Sequence, residues 1–380
     1  DRNTIIGNDA GYYIVDVDKT VIIGDQAGTG NMTSDADGTI AIGQAAIRSL
    51  TSGIGNVAIG SGSMALNATS DLNTAVGTNA LGKLTMDGYG GDTAVGYQSG
   101  LALTKGRETT AIGAYALAQE DEGDGSTAVG YAALYFQNIG GSQNDVTGNT
   151  GIGAGAGDYN VTGTNNTWVG YRAGFGASGQ SNSNNTGVGK DALLAITSGG
   201  SNVVIGSLAG DALTTGNDNT FLGQGAGGTT IDSHHHVLIG YGAGGAGDIA
   251  NNGATAVGYQ ALNALTSGAQ NTAVGFEALK VCVDGKRNTA IGYQTLSANM
   301  NVGDNNTAVG YSSFYTYNPD TNDHGSNTGL GAFSGYYVTT GTENTCIGYA
   351  AAGTGASNLT TGDNNTVLGS QAIVSAAGAA

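Results

Sequence analysis

The stretch from Thr255 to Leu296, TAVGYQALNALTSGAQNTAVGFEALKVCVDGKRNTAIGYQTL, states one pattern three times. Gly258, Gly275 and Gly292 fall 17 residues apart, each preceded by Thr, Ala and then Val or Ile, and followed by Tyr or Phe. Carried outward, the pattern returns from Gly7 to Gly369 as 21 repeats, most of them 17 residues long. Three steps are longer: 23 residues from Gly130 to Gly153, and 21 from Gly310 to Gly331 and from Gly348 to Gly369. A short fixed period marks a stacked repeat protein, whose single repeats are too small to bury their own apolar faces.

The 380 residues include 70 Gly and one Pro, with 39% hydrophobic and 11% charged side chains. Gly at this level without every-third spacing excludes collagen, and regularly placed β-branched residues exclude a disordered linker. A formal charge of −18 repels phosphate backbones, so nucleic acid is not an expected partner. No run of 18 apolar residues offers a membrane span. Cys282 and Cys346 lie four repeats apart, about 19 Å at one strand spacing per repeat, and read as isolated apolar thiols.

The positions around each anchor glycine obey strict rules. The residue before it is always Ile, Val or Leu, the one three before is Thr in 16 repeats, and the one three after is Ala in 16. In an extended chain these side chains share one face, which predicts a narrow interior lined by Val76, Val274, Ile291, Thr272 and Ala278. Four before the anchor, Asn occurs in 14 repeats and suits a turn or a stacked amide ladder. On this reading Val274→Asp is severe and loss of Asn271 costs less. Seventeen residues suit one coil of two short strands and two turns. The expected fold is all-β: one continuous parallel β-solenoid over residues 1–380, with 21 coils and a length of roughly 100 Å. Longer loops are inserted near 131–149, 312–327 and 350–365.

Repeats of the form NTAVGYQAL followed by TTGDNN resemble two groups of surface proteins. One is the repeat shaft of bacteriophage tail fibres; the other is the YadA-like head of trimeric autotransporter adhesins. The motif recurs at Asn271 to Leu279, Asn288 to Leu296 and Asn306 to Phe314, and the resemblance covers essentially the whole chain. It implies a left-handed β-roll, three chains packed side by side as a homotrimer, and an extracellular structural fibre for surface attachment. The 17-residue period departs from the adhesin heads, whose repeats are shorter. Small residues two before the anchor and at the anchor, such as Ala273 and Gly275, are expected at the three-fold interface, with altered packing at Trp168, Phe221 and Leu238. An ice-binding solenoid is the rival from another class. The Thr ranks would suit it, but they are expected to point inward.

No Ser-His-Asp or His-Glu-x-x-His spacing appears, so no enzyme is expected. His234 and His236 from three chains would offer imidazoles to a transition metal on the axis, against the plainer reading of a solvated turn. The acidic turns Asp16 with Asp18, Asp35 with Asp37, and Glu120 to Asp124 offer oxygens to Ca²⁺, against simple solubility. The insertions cluster aromatics beside amides and carboxylates, as sugar binding requires. Tyr135, Phe136, Tyr315 and Tyr317 are the expected contacts for a surface polysaccharide, with Asp320 and Asn322 orienting hydroxyls.

Overall fold

A computed structural model describes residues 2–140, 146–249, 253–298, 303–319, 325–353 and 359–374. It divides into two compact units, Asp1–Asp191 and Ala192–Ala380. Each is a parallel β-solenoid. Eleven three-residue strands stack in the first unit, from Thr4–Ile6 to Thr186–Val188, and ten in the second, from Val203–Ile205 to Thr366–Leu368. Each strand is the tripeptide before one anchor glycine, so one repeat makes one coil. Pairing is in exact register, as between Thr272 and Thr289, Ala273 and Ala290, and Val274 and Ile291. Register survives the long steps: Thr127 still pairs with Thr150 across the 23-residue repeat, and Thr307 with Thr328 across a 21-residue one. A second parallel pair joins Thr69–Asp71 to Asp87–Tyr89, and the single 3-10 turn at Ser34–Ala36 is the only helix among the described residues.

The phase of the strand is the reverse of the expected one. Ala75 and Ala273, two before the anchor, are completely buried, whereas Thr272, Val76 and Val274 are only half-buried and Ile291 is 40% exposed. Of the predicted core only Ala278 is buried. The interior is instead built from the positions four and two before the anchor and three, four and seven after it. In the Gly275 coil these are Asn271, Ala273, Ala278, Leu279 and Cys282, all buried. A period-2 pattern defines two faces without saying which is inside, and a shift of one residue exchanges them.

Trp168, Phe221 and Leu238 therefore fill the interior and carry no exposed surface. Their size is matched across the coil. Where the residue two before the anchor is Ala, as at Ala58, Ala256 and Ala273, the one four after is Met64, Leu262 and Leu279. Where it is Trp168, Phe221 or Leu238, the partner is Gly174, Gly227 or Gly244. A Cβ added at those glycines would lie 2.2 Å from Trp168, 2.6 Å from Phe221 and 2.9 Å from Leu238. One volume is filled from either side, as close packing demands.

The anchor itself must be glycine for two reasons. Gly275 has φ +141°, a region that side chains other than glycine's avoid, and a Cβ there would lie 2.2 Å from the carbonyl oxygen of Gly292 in the next coil. The same clash recurs from anchor to anchor, which explains why the period is written in glycine.

The Asn column lies inside the coil. Asn271 Oδ1 accepts from the backbone N of Asn288 at 2.9 Å and from its Nδ2 at 3.1 Å, while Asn271 Nδ2 donates to the Gly285 carbonyl at 2.6 Å. Asn288, Asn306 and Asn327 repeat the arrangement. It satisfies backbone groups that a turn inside the roll would otherwise leave dry.

Candidate functional site

Because the strands face the other way, the outer surface carries the large apolar side chains. Thr three before the anchor, Ile, Val or Leu one before, and Tyr or Phe one after all point outward. Ile205 is 38% exposed, Leu222 44% and Leu330 51%. Beside this aliphatic column in the second unit stands an aromatic one. Tyr241, Tyr259, Phe276, Tyr293 and Tyr311 stack with centroids 4.9 to 5.4 Å apart and interplanar angles of 5° to 10°. In-register stacking of identical coils produces this column, since each ring repeats the position of the last.

The aromatics of the 131–149 insertion lie in a different arrangement. Tyr135 and Phe136 meet edge to face at 4.6 Å, and both line a cavity of about 360 Å³ with Tyr115, Tyr131, Ala132 and Asp158. Three successive coils contribute. Tyr115 comes from the Gly113 coil, Tyr131 to Phe136 from the Gly130 coil and Asp158 from the Gly153 coil. Tyr131 and Tyr135 each stand edge to face against Tyr115, both at 6.1 Å. Phe136 stacks on Tyr159 at 4.9 Å, and Gln119 Nε2 donates to the Tyr135 hydroxyl at 3.3 Å. Burial pushes the Asp158 carboxyl up to about 6, and its Oδ1 is enclosed without a hydrogen-bond partner among the described residues. Gln137, next in sequence, turns inward and bonds Glu120 Oε2 at 2.8 Å, so it is part of the core.

The second insertion divides differently. Tyr317 is fully buried and packs edge to face on Phe314 at 6.1 Å, which removes it from the expected contact surface. Tyr315 stacks on Tyr336 at 5.4 Å. Tyr336 in turn lines a cavity of about 290 Å³ with Phe333, Tyr337, Tyr349 and Gln371. Asp320 and Asn322 lie outside the described residues.

The two histidines occupy different surroundings within the chain. His236 takes the place of Asn in the internal ladder: it is completely buried, its N–H donates to Asn219 Oδ1 at 3.0 Å and its Nδ1 accepts from Ala254 N at 3.0 Å. Desolvation lowers its pKa to about 4, which keeps it neutral. His234 lies in the outer turn, where its Nδ1 accepts from Asn217 N at 2.9 Å. Among the described residues no group of three or more His, Cys, Asp or Glu side chains is placed to hold a metal.

His234 belongs to a second ladder, one not expected from the sequence. The residue six before an anchor repeatedly accepts the backbone N–H of its counterpart in the preceding coil. Asp37 Oδ1 accepts from Asp18 N at 2.6 Å, Asp124 from Arg107 N at 2.7 Å and Asp304 from Lys286 N at 2.8 Å. Asn217 does the same for Gly200 N at 2.6 Å. Asp37 and Asp124 therefore tie successive turns together, while Glu120 Oε1 closes its own turn by accepting from Gly123 N at 2.9 Å. No family model and no curated protein matches this chain.

Proposed function

We propose that this chain is the shaft of an extracellular attachment fibre of the bacteriophage tail-fibre kind, with three copies packed side by side. The observation that carries the reading is the outward strip of Ile, Val and Leu beside Thr, repeated coil after coil within each unit. Contiguous apolar surface of this kind marks an interface, and burial against identical strips of two further copies satisfies it. The repeat resemblance supports the same arrangement, with a bacterial trimeric surface adhesin as the runner-up. The aromatic cavity at Tyr135 and Phe136 is the site that attaches the fibre to its target surface. Sedimentation velocity tests the assembly: the parent should run as a trimer, and the Val274→Asp, Ile291→Asp double variant as a monomer with an unchanged circular-dichroism spectrum. A monomeric parent would sink the fibre reading.

The outward Thr column favours one other reading. Thr255, Thr272 and Thr289 stand in register, half-buried, at about 4.8 Å per step, a repeat that can match a crystal lattice of ice. Thermal hysteresis in dilute solution decides between the two, since a trimeric shaft covers the column and gives none.

A further inference from the structure

We propose that the cavity bounded by Tyr115, Tyr131, Tyr135, Phe136 and Asp158 binds the quaternary ammonium head of a choline-type group. The proposal rests on the reading of this cavity as the attachment site and names the chemistry it takes. The walls are the first argument. Tyr131 stands at 87° to Tyr115, Tyr135 at 79° to Tyr115, and Phe136 at 89° to Tyr135. The rings therefore lie neither in one plane nor in a stack, but turn a corner. A flat platform suits a pyranose ring; a corner of perpendicular rings suits a compact sphere of positive charge. Each ring face within about 6 Å of a cation attracts it through the ring's quadrupole.

The polar content of the lining is the second argument. Asp158 is its one charged residue among the described residues, and a single carboxylate answers a single positive charge. A primary ammonium holds its water through three N–H donors and gives more up on entering an aromatic site. A quaternary head has no donor to satisfy. The net charge of −18 adds a field that concentrates cations at the surface. The aromatic cavity of the second unit gives the contrast, because Phe333, Tyr336, Tyr337 and Tyr349 line it with Gln371 and, among the described residues, no carboxylate.

The test titrates the full chain with choline chloride at mildly alkaline pH, followed by NMR. Controls are 3,3-dimethylbutanol, the neutral carbon isostere, and ethanolamine. Choline should saturate one site per chain, with the neutral isostere weaker by about tenfold or more, the equivalent of one lost charge contact, and with ethanolamine weaker because its ammonium keeps its water. Tyr131→Ala, at a 62% exposed position, and Asp158→Asn should each weaken choline similarly with the circular-dichroism spectrum unchanged. Tyr337→Ala in the second unit should leave it untouched. Isostere binding as tight as choline, no saturable choline site, or variants that bind like the parent would overturn the proposal. Phosphatidylcholine vesicles and a phosphocholine-bearing glycan then separate lipid from glycan as the carrier, and capture by either supports it. If choline binds but Tyr131→Ala fibres still attach to choline-bearing cells, the attachment reading fails and the cation site stands. If choline does not bind but Tyr131→Ala abolishes attachment, the reverse holds.

Discussion

Trp168 and Gly174 occupy the same piece of interior: a Cβ on Gly174 would lie 2.2 Å from Cδ2 of the indole. Trp168→Ala should cost about 3 to 5 kcal/mol, the usual range for emptying a buried aromatic site. Gly174→Leu alone should prevent folding of its coil, since nothing but the Trp ring can give way. Together the two changes recreate the pairing of Ala273 with Leu279, and the backbone already permits it: Gly174 has φ +59° and Leu279 +51°. The double variant should therefore recover most of the loss. A denaturation cycle in which the two effects merely add would refute the shared volume.

The anchors make a harsher prediction. Gly275→Ala places a methyl 2.2 Å from the Gly292 carbonyl oxygen at φ +141°, so it combines a backbone clash with a disfavoured conformation. It should lower the melting temperature far more than Gly253→Ala, where a Cβ meets nothing within 4 Å. Equal melting temperatures would contradict the account of the period.

The period, the strand type and the parallel stacking were legible because each follows from one invariant glycine per coil. The phase was not, because both faces of the strand avoid charge. The legible signal was the size relation: a position that accepts Ala273, Trp168 and Phe221, answered by Leu279, Gly174 and Gly227, is one wall of a closed volume. Tyr135 and Phe136 stood out as inserted aromatics. Tyr115, Tyr131 and Asp158 did not, since ordinary repeat positions become a site only when stacking brings three coils together.

Seven repeats carry another residue in place of the ladder Asn; two of these residues, Asp92 and His236, titrate, and they predict opposite responses to acid. Asp92 is buried, its Oδ1 accepts from Thr109 N at 3.0 Å, and its Oδ2 has no partner among the described residues. Desolvation raises its carboxyl to about 7 from 3.8. The folded first unit thus binds a proton more readily than the unfolded chain between those values, and its stability falls as pH rises through the window. Three pKa units correspond to about 4 kcal/mol at most. Asp92→Asn should remove that loss, and its stability gain should be present at pH 8 and absent at pH 3. His236 carries the other sign. Its pKa falls from 6.5 to about 4, so its contribution to the second unit is full above the unfolded value and lost as pH drops between the two. His236→Asn should flatten that acid loss. Urea unfolding across pH checks both, and a variant with the parent's pH slope would refute its part.

The inside-out assignment of the strand reverses an expected ranking of two neighbouring residues. Asn271 is enclosed, with Nδ2 donating to Gly285 O and Oδ1 accepting two bonds from Asn288. Asn271→Ala leaves a buried carbonyl and a buried N–H without partners, at about 1 to 3 kcal/mol for each. Val274 stands on the outer face, half-buried, where a carboxylate remains in water if the chain is alone. Val274→Asp should then cost an isolated chain no more than about 1 kcal/mol, because no dry site receives the charge. The same change should dissociate the assembly, because in a side-by-side trimer it sets like charges into an apolar seam. Melting curves at concentrations where the parent is monomeric should therefore rank Asn271→Ala as the more damaging variant. Sedimentation at higher concentration should rank Val274→Asp first. The opposite order in the melting experiment would mean that the aliphatic position, not the amide, faces the interior.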